Sequence, residues 1–448
     1  MDNFSDKKQT SNKQSNNKQA NNKQANDKQA NDKQANNKQA NGSSKLNYGK
    51  TFLIGTGFFA SSLLWSLYNS FVPLILKDFI TSSTLIGLIM TIDNAFGVIF
   101  QPLFGSLSDR TQTRFGKRMP FIMIAAPLCA VLFFFIPQMP TLFSLMLIVI
   151  IFNFGMSVWR APIVALMPDL TPSQHWSKAN GVINLMGGVA SIIAFLIGGK
   201  IANSYGRSAT FGMGSIVMFL AVLTLFMFVK EPVAKSPFTS TDKKEDDKKS
   251  ISLSAFKNLP AKQRRNLVYL LFAIFFWFCG FNAVETFFTT FAVENLGVPE
   301  GSAAMLLAFF SVSFVAFAIP AGFIATKIGR RKSIMIGLTG LVIVFIPILF
   351  LMNLTALRIL LLIGGFFWAL VNINSLPMVL EIGTKAEIGT YTGYYYFFSF
   401  SASIFSPIVF GFIRDLTQNY ATLFIYTPIV FAIALFCISC TSLTDNKA

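Results

Sequence analysis

The sequence predicts an all-α polytopic membrane protein with twelve transmembrane helices in two pseudo-symmetric six-helix bundles. Three observations carry that prediction. Of 448 residues, 53% are hydrophobic and 13% charged, with 50 phenylalanines, against about 25% charged in soluble domains. Apolar runs of about 20 residues recur, each long enough to cross a hydrocarbon core of about 30 Å as a helix. They are apolar all round, which excludes the shorter alternating strands of a membrane barrel. Finally, a long charged segment sits mid-chain, and the loops on its two sides echo one another.

The chain opens with a low-complexity tail, residues 1–47, in which NNKQA and NDKQA units place a lysine at every fifth position from Lys8 to Lys38. Nothing larger than Ala is apolar in the repeats, so no core can form and disorder is expected. The tail is a solvated segment or a contact for anionic lipid. Apolar spans follow at about 51–76, 84–106, 119–137, 141–167, 179–201 and 209–229. A second set lies at about 267–292, 302–326, 333–352, 356–380, 391–413 and 421–441. Residues 231–265 between them are charged and Ser/Pro-bearing, an inter-domain linker. The division is thus a first bundle at 48–230, a second at 266–441 and a short tail at 442–448.

Charge sets the expected orientation. The net charge of +17 is not a folded basic face with interleaved aromatics, so nucleic acid is not an expected partner. Four Lys/Arg lie in the 2–3 loop, four in the 8–9 loop and about ten around the linker. The opposite loops hold Lys77, Lys200, Arg207, Arg358 and Arg414. The positive-inside bias then places both termini in the cytoplasm, with the protein in the plasma (inner) membrane. The polar N-terminus is not expected to act as a cleavable signal peptide. Cys129, Cys279, Cys437 and Cys440 lie in apolar runs and His175 is the only histidine. Free thiols and no metal site are expected.

The 2–3 loop begins at Gly105, carries Asp109, Arg110 and Arg114, and closes on Gly116, Lys117 and Arg118; the 8–9 loop repeats the plan from Gly322 to Lys332. Trp159 and Pro168 in the fourth span are matched by Trp368 and Pro377 in the tenth. Physically, the 2–3 loop reads as a charge-latched clip on one face. Asp109 caps a helix or pairs across the face, and the basic residues reach helix C-termini. The stretch QPLFGSLSDRTQTRFGKRMPFI, from Gln101, resembles the signature of the major facilitator superfamily. Within it the stretch is similar to the sugar–cation symporter branch, the sucrose–proton symporters and the glycoside–pentoside–hexuronide symporters. Thr113, Lys117 and, in the second half, Thr326 depart from that pattern. The resemblance implies alternating access about a midplane site between halves and, for an arginine in the fourth span, a role in sugar binding.

Three charges fall inside spans: Asp93, Arg160 and Glu285. A charge at bilayer depth costs about 3 kcal/mol on insertion scales, so each is expected to face the bundle interior or a cavity. Asp93 is a proton or cation coupling group, or the fixed partner of Arg160. Arg160 offers a planar fork to hydroxyls or a carboxylate, or pairs with Asp93 or Asp169. Glu285 binds a proton, bonds substrate or reaches outer water. The polar and aromatic inventory around them suits a sugar, which wants ring faces and amide partners. It comprises Tyr68, Asn69, Asn94, Gln101, Asn153, Asn184, Asn282, Trp368, Asn372, Asn374, Tyr394 and Tyr395. The Phe pairs of the seventh span (Phe275, Phe276, Phe287, Phe288) are expected to face lipid.

No phosphate loop, nucleophile elbow or metal-spaced cluster occurs, so an enzyme is not expected. The expected function is secondary active transport. The preferred form is proton-coupled symport of a sugar (a disaccharide or glycoside), with no cofactor, H+ or else Na+ as coupling ion, and a monomer in lipid. A proton-coupled drug or amphiphile exporter is the alternative on the same fold. A membrane sensor or scaffold would need a folded soluble domain.

Overall fold

The computed structural model describes residues 46–172, 175–231, 259–350, 353–382 and 388–442. The repeats of the tail, most of the linker and the last residues lie outside them. The helices are α1 (Tyr48–Lys77), α2 (Ser83–Met90), α3 (Ile92–Arg110), α4 (Met119–Phe135), α5 (Leu142–Leu170), α6 (Trp176–Ile193) and α7 (Gly199–Phe228). They continue as α8 (Ala261–Leu296), α9 (Glu300–Ile328), α10 (Arg330–Ile348), α11 (Leu354–Leu380), α12 (Ile388–Thr417) and α13 (Leu423–Ser439).

Eleven helical stretches among the described residues are long and apolar enough to cross a membrane. One of them, Lys178–Phe228, has 51 residues, about 77 Å of helix at 1.5 Å per residue. No bilayer needs that length. Gly206, at φ 82°, breaks it, using the positive-φ region open to glycine. Thr210 Oγ1 donates to the Gly198 carbonyl at 3.1 Å, although the two are 12 residues apart. A continuous helix would separate them by about 18 Å. The chain therefore turns back at Gly206, and α7 carries the end of the fifth span and all of the sixth, which makes twelve crossings.

Packing repeats between the halves. In the first, α1 packs on α6 and α7, α4 on α5 and α7, and α3 on α5. In the second, α8 packs on α12 and α13, α10 on α11 and α13, and α9 on α11. Each pairing in one set has its counterpart in the other. The halves meet along three seams: α1 with α8, α2 with α12, and α6–α7 with α9. Glycines permit the closest approaches. A methyl group on Gly411 would lie 2.3 Å from the Ser83 carbonyl, and one on Gly199 would lie 2.5 Å from that of Gly301. Gly199 and Gly411 each follow their half's Gly181 or Gly393 by eighteen residues, so the two seams are symmetry mates.

The expectation that Phe287 and Phe288 face lipid is corrected. Both are fully buried, because this part of α8 is a seam helix. Thr289 Oγ1 donates to the Ser70 carbonyl of α1 at 2.7 Å, and Phe287 packs on Phe410 at 5.1 Å. Phe275 and Phe276 are half-buried. The strongly exposed apolar side chains are instead ones such as Phe143, Ile319 and Phe436.

Candidate functional site

The second span is broken. α2 ends at Met90, Thr91 intervenes, and α3 starts at Ile92 with Asp93 in its first turn. A carboxylate there sits well against the free N–H groups of a helix start. Asn94 Nδ2 donates to Asp93 Oδ1 at 2.8 Å. Beside it α1 presents Trp65, Tyr68 and Asn69, one helical turn apart and on one face. Tyr68 is fully buried, accepts from Asn153 Nδ2 at 3.1 Å and stacks on Phe152. Trp65 Nε1 and Asn153 Oδ1 are buried without a protein partner, which leaves two polar atoms unsatisfied on this wall.

Arg160 of α5 is exposed, yet elements surround it. Its guanidinium lies 6.0 Å from the Trp65 ring, and it interacts electrostatically with Asp93 and with Tyr396 of α12. Exposure amid groups from α1, α3 and α12 means that the side chain opens into an interior hollow. No ion pair or hydrogen bond to Arg160 occurs among the described residues, so the fixed Asp93–Arg160 or Asp169–Arg160 pair is not formed. Asp169 is instead held by Lys117 and Arg118.

The second half supplies the facing wall. Glu285 accepts a hydrogen bond from Asn69 Nδ2 at 3.1 Å and lies within electrostatic reach of Asp93, so the acidic pair straddles the α1–α8 seam. Trp368 stacks on Phe281 at 4.5 Å and 4°, with Phe278 edge-on to both Trp368 and Tyr395. The remaining expected residues divide. Asn282 donates to the Phe278 carbonyl of its own helix. Tyr395 is buried and bonds Ser375 at 3.0 Å, and Tyr394 is buried beside Tyr391. Gln101 and Asn372 are half-buried. Asn374 is buried among Leu370, Ser333 and Ala321, a packing position. Asn184 is exposed and bonds its own helix at Asn180. In the Tyr394-Tyr395-Tyr396 run, Tyr396 is 47% exposed and lies within electrostatic reach of Arg160. Sequence reasoning missed it, along with Trp65 and Phe281. The spacing of Trp65 from Tyr68 and Asn69 was the available signal.

The clip closes within one half. Gly116, at φ 103°, reverses the loop. Arg118, only 4% exposed, donates to Asp169 at 3.0 Å and to the Gly105 carbonyl at 3.2 Å, and also contacts Ser108 and Asp109. Glu231, just beyond α7, accepts the backbone N–H groups of Arg118 and Met119 at 2.8 and 3.3 Å, capping α4. Lys117 joins Asp169 at 3.1 Å. Thus α3, α4, α5 and the end of α7 are tied together, all in the first half. Arg110 and Arg114 stay exposed, Arg114 lying over Phe115. Asp109 is held by Arg118 of its own half, and among the described residues the clip makes no ion pair with the other half in this arrangement. The 8–9 loop does likewise. Gly329 has φ 95°, Arg330 pairs with Glu381, and Arg331 donates to the Ile438 and Ser439 carbonyls ending α13.

Bonds between the halves gather at the opposite end. Asp415 of α12 accepts from Ser82 Oγ, Ser83 N, Thr84 N and Thr84 Oγ1 at 2.7–2.9 Å, capping α2 across the seam. Arg207 bridges Asp78 of its own half and Glu300 of the other. Lys77 pairs with Glu294, and Asn203 bonds Ser302 at 3.0 Å. One end is sealed by charge; from Arg160 toward the clips the described residues form no such bridge.

Twelve crossings in two matched halves, with charges lining a hollow between them, define a membrane carrier. The family model of the Major Facilitator Superfamily matches residues 54–407 and 270–445, and the chain belongs to that superfamily. It is 25% identical over 253 residues to the "Cis,cis-muconate transport protein" of Acinetobacter baylyi, covering 56% of this chain and 60% of that protein's length. It is 22% identical over 380 residues to the "Hexuronate transporter" of Bacillus subtilis, covering 79% and 84%. With "Multidrug resistance protein MdtG" of Proteus mirabilis it shares 24% over 339 residues, covering 69% and 74%. In fold it is similar to a variant of the nucleoside transporter NupG (TM-score 0.71, 14% identity, 88% and 100% covered). It is also similar to a bacterial homologue of Spinster in an inward-facing, occupied conformation (TM-score 0.70, 14% identity, 90% and 98% covered).

Proposed function

We propose that this chain is a proton-coupled symporter that moves a small hydroxylated solute, a sugar or sugar acid, across the plasma membrane by alternating access. One observation carries the reading: Arg160 opens into the hollow with no ion-pair partner among the described residues, Asp93 lies within its electrostatic reach, and Glu285 of the other half lies within reach of Asp93. An unpaired guanidinium is a binding fork for paired hydroxyls or a carboxylate. The Phe281 ring, backed by the buried Trp368, and the Trp65 indole suit the C–H surface and hydroxyls of a pyranose. Relatives named for hexuronate and muconate, both carboxylates, favour an acid-bearing substrate at Arg160.

Charge counting gives the coupling. With both carboxyls ionised, the three groups sum to one negative charge, which repels an anion. Each proton taken up by Asp93 or Glu285 removes that repulsion. Substrate in turn favours the protonated state by the same factor, since linkage is reciprocal. Glu285 joins this balance to the α1–α8 seam through Asn69. With the basic loops and linker read as cytoplasmic, the hollow opens inward and the sealed end faces outside. Purified protein in vesicles with an imposed pH gradient, acid outside, is expected to concentrate labelled hexuronate or a labelled glycoside and to stop on adding a protonophore. Accumulation driven by Na+ alone would replace the proton. Dye efflux without uptake of either solute would replace symport by export.

A further inference from the structure

At the linker-side end of α8 an open groove of about 530 Å³ runs beside α13, lined by Arg264, Arg265, Val268, Tyr269, Phe272 and Cys437. Its character changes along its length. Arg264 and Arg265 lie at the mouth and are exposed, and neither forms an ion pair among the described residues. Val268 and Tyr269 follow one turn deeper and Phe272 two turns deeper, about 6 and 11 Å along the axis. Phe272 is 46% exposed at the outer wall, and Cys437 is buried at the floor. The floor is fixed: Asn266, on the opposite face of α8, accepts the Ser442 N–H at 3.0 Å and so ties the chain after α13 to α8.

The two arginines gain nothing from their own helix. α8 has no acidic residue in its first turn, and cations near a helix start oppose the helix dipole. Their charge is therefore open to an outside partner, and the complement of this groove is a molecule that is anionic at one end and apolar within about 10 Å of it. In a protein embedded in lipid that is a phospholipid with a net negative headgroup. We propose that the groove holds one anionic phospholipid, its phosphate on Arg264 and Arg265 and an acyl chain along Val268, Tyr269 and Phe272. The occupant thus rests on α8, the helix that also carries Glu285. The proposal is independent of which solute is carried.

The test uses the full-length chain purified in mild detergent and read by native mass spectrometry after titration with phosphatidylglycerol or phosphatidylcholine. The wild type is expected to keep one phosphatidylglycerol at concentrations roughly tenfold below those needed for phosphatidylcholine, and R264Q/R265Q to lose that preference. Equal retention of both lipids by the wild type overturns the proposal, as does an undiminished preference in the double variant. A third variant, E245Q/D246N/D247N, removes the acidic run of the linker. If phosphatidylglycerol binds selectively only in that variant, the occupant is the chain's own linker and the lipid proposal fails.

Discussion

Asp93, Arg160 and Glu285 were legible as single residues because a charge inside an apolar run is rare and costly. Their mutual arrangement was not, since periodicity does not say which span faces which. In the same way the tyrosine run announced an aromatic site, but only the packing of α12 decides that Tyr396 lies exposed within electrostatic reach of Arg160. Two substitutions test the residue roles. Asp93→Asn keeps the shape and removes the titrating oxygen. It is expected to abolish uphill accumulation in vesicles while leaving substrate exchange within about threefold, and accumulation at the wild-type level would refute the assignment. Arg160→Lys keeps the charge and loses the fork. Uptake kcat/KM is expected to fall at least tenfold, which is about 1.4 kcal/mol; an unchanged value would show that the guanidinium does not hold the solute.

Helices behave as units held by a few polar ties. The clip loop was readable as important, but not the pairing of its charges within one half in this arrangement. Nothing in the loop's sequence reveals that Glu231, more than a hundred residues on, caps α4, or that Arg118 spends its donors on Gly105, Ser108, Asp109 and Asp169. Removing one partner of such a buried network strands the others and costs about 3 kcal/mol. Arg118→Met is therefore expected to lower the melting temperature in detergent, with substrate affinity unaltered in the protein that stays folded; an unchanged melt would contradict a structural clip. Asp415 acts differently, because its four cross-seam bonds join the halves. Asp415→Asn keeps one acceptor and loses the charge, about 2 kcal/mol. A shift of about 30-fold toward opening of the sealed end is expected, read as faster labelling of a cysteine placed behind that seal. No change in labelling would mean that the seam does not depend on Asp415.

For the molecule as a whole, the two halves were legible from the linker and the matched loops, and the packing pairs of the first bundle do recur in the second. The seams were not legible, because Gly199, Gly301 and Gly411 look like any span glycines until their carbonyl neighbours are known. Together the seams and the hollow state the central claim: the buried charges line a water-filled space that communicates with one side at a time. Tyr396 is the probe position, exposed beside Arg160. Cys129, Cys279 and Cys437 are buried, but Cys440 is partly exposed at the linker-side end, so the label is placed on a Cys440→Ser background. The measurement is labelling of Tyr396→Cys by a membrane-impermeant thiol reagent in vesicles of known orientation. Alternating access expects rapid labelling from the side bearing the linker, at least tenfold slower labelling from the other, and protection by transported solute. Equal labelling from both sides, or none from either, would contradict it.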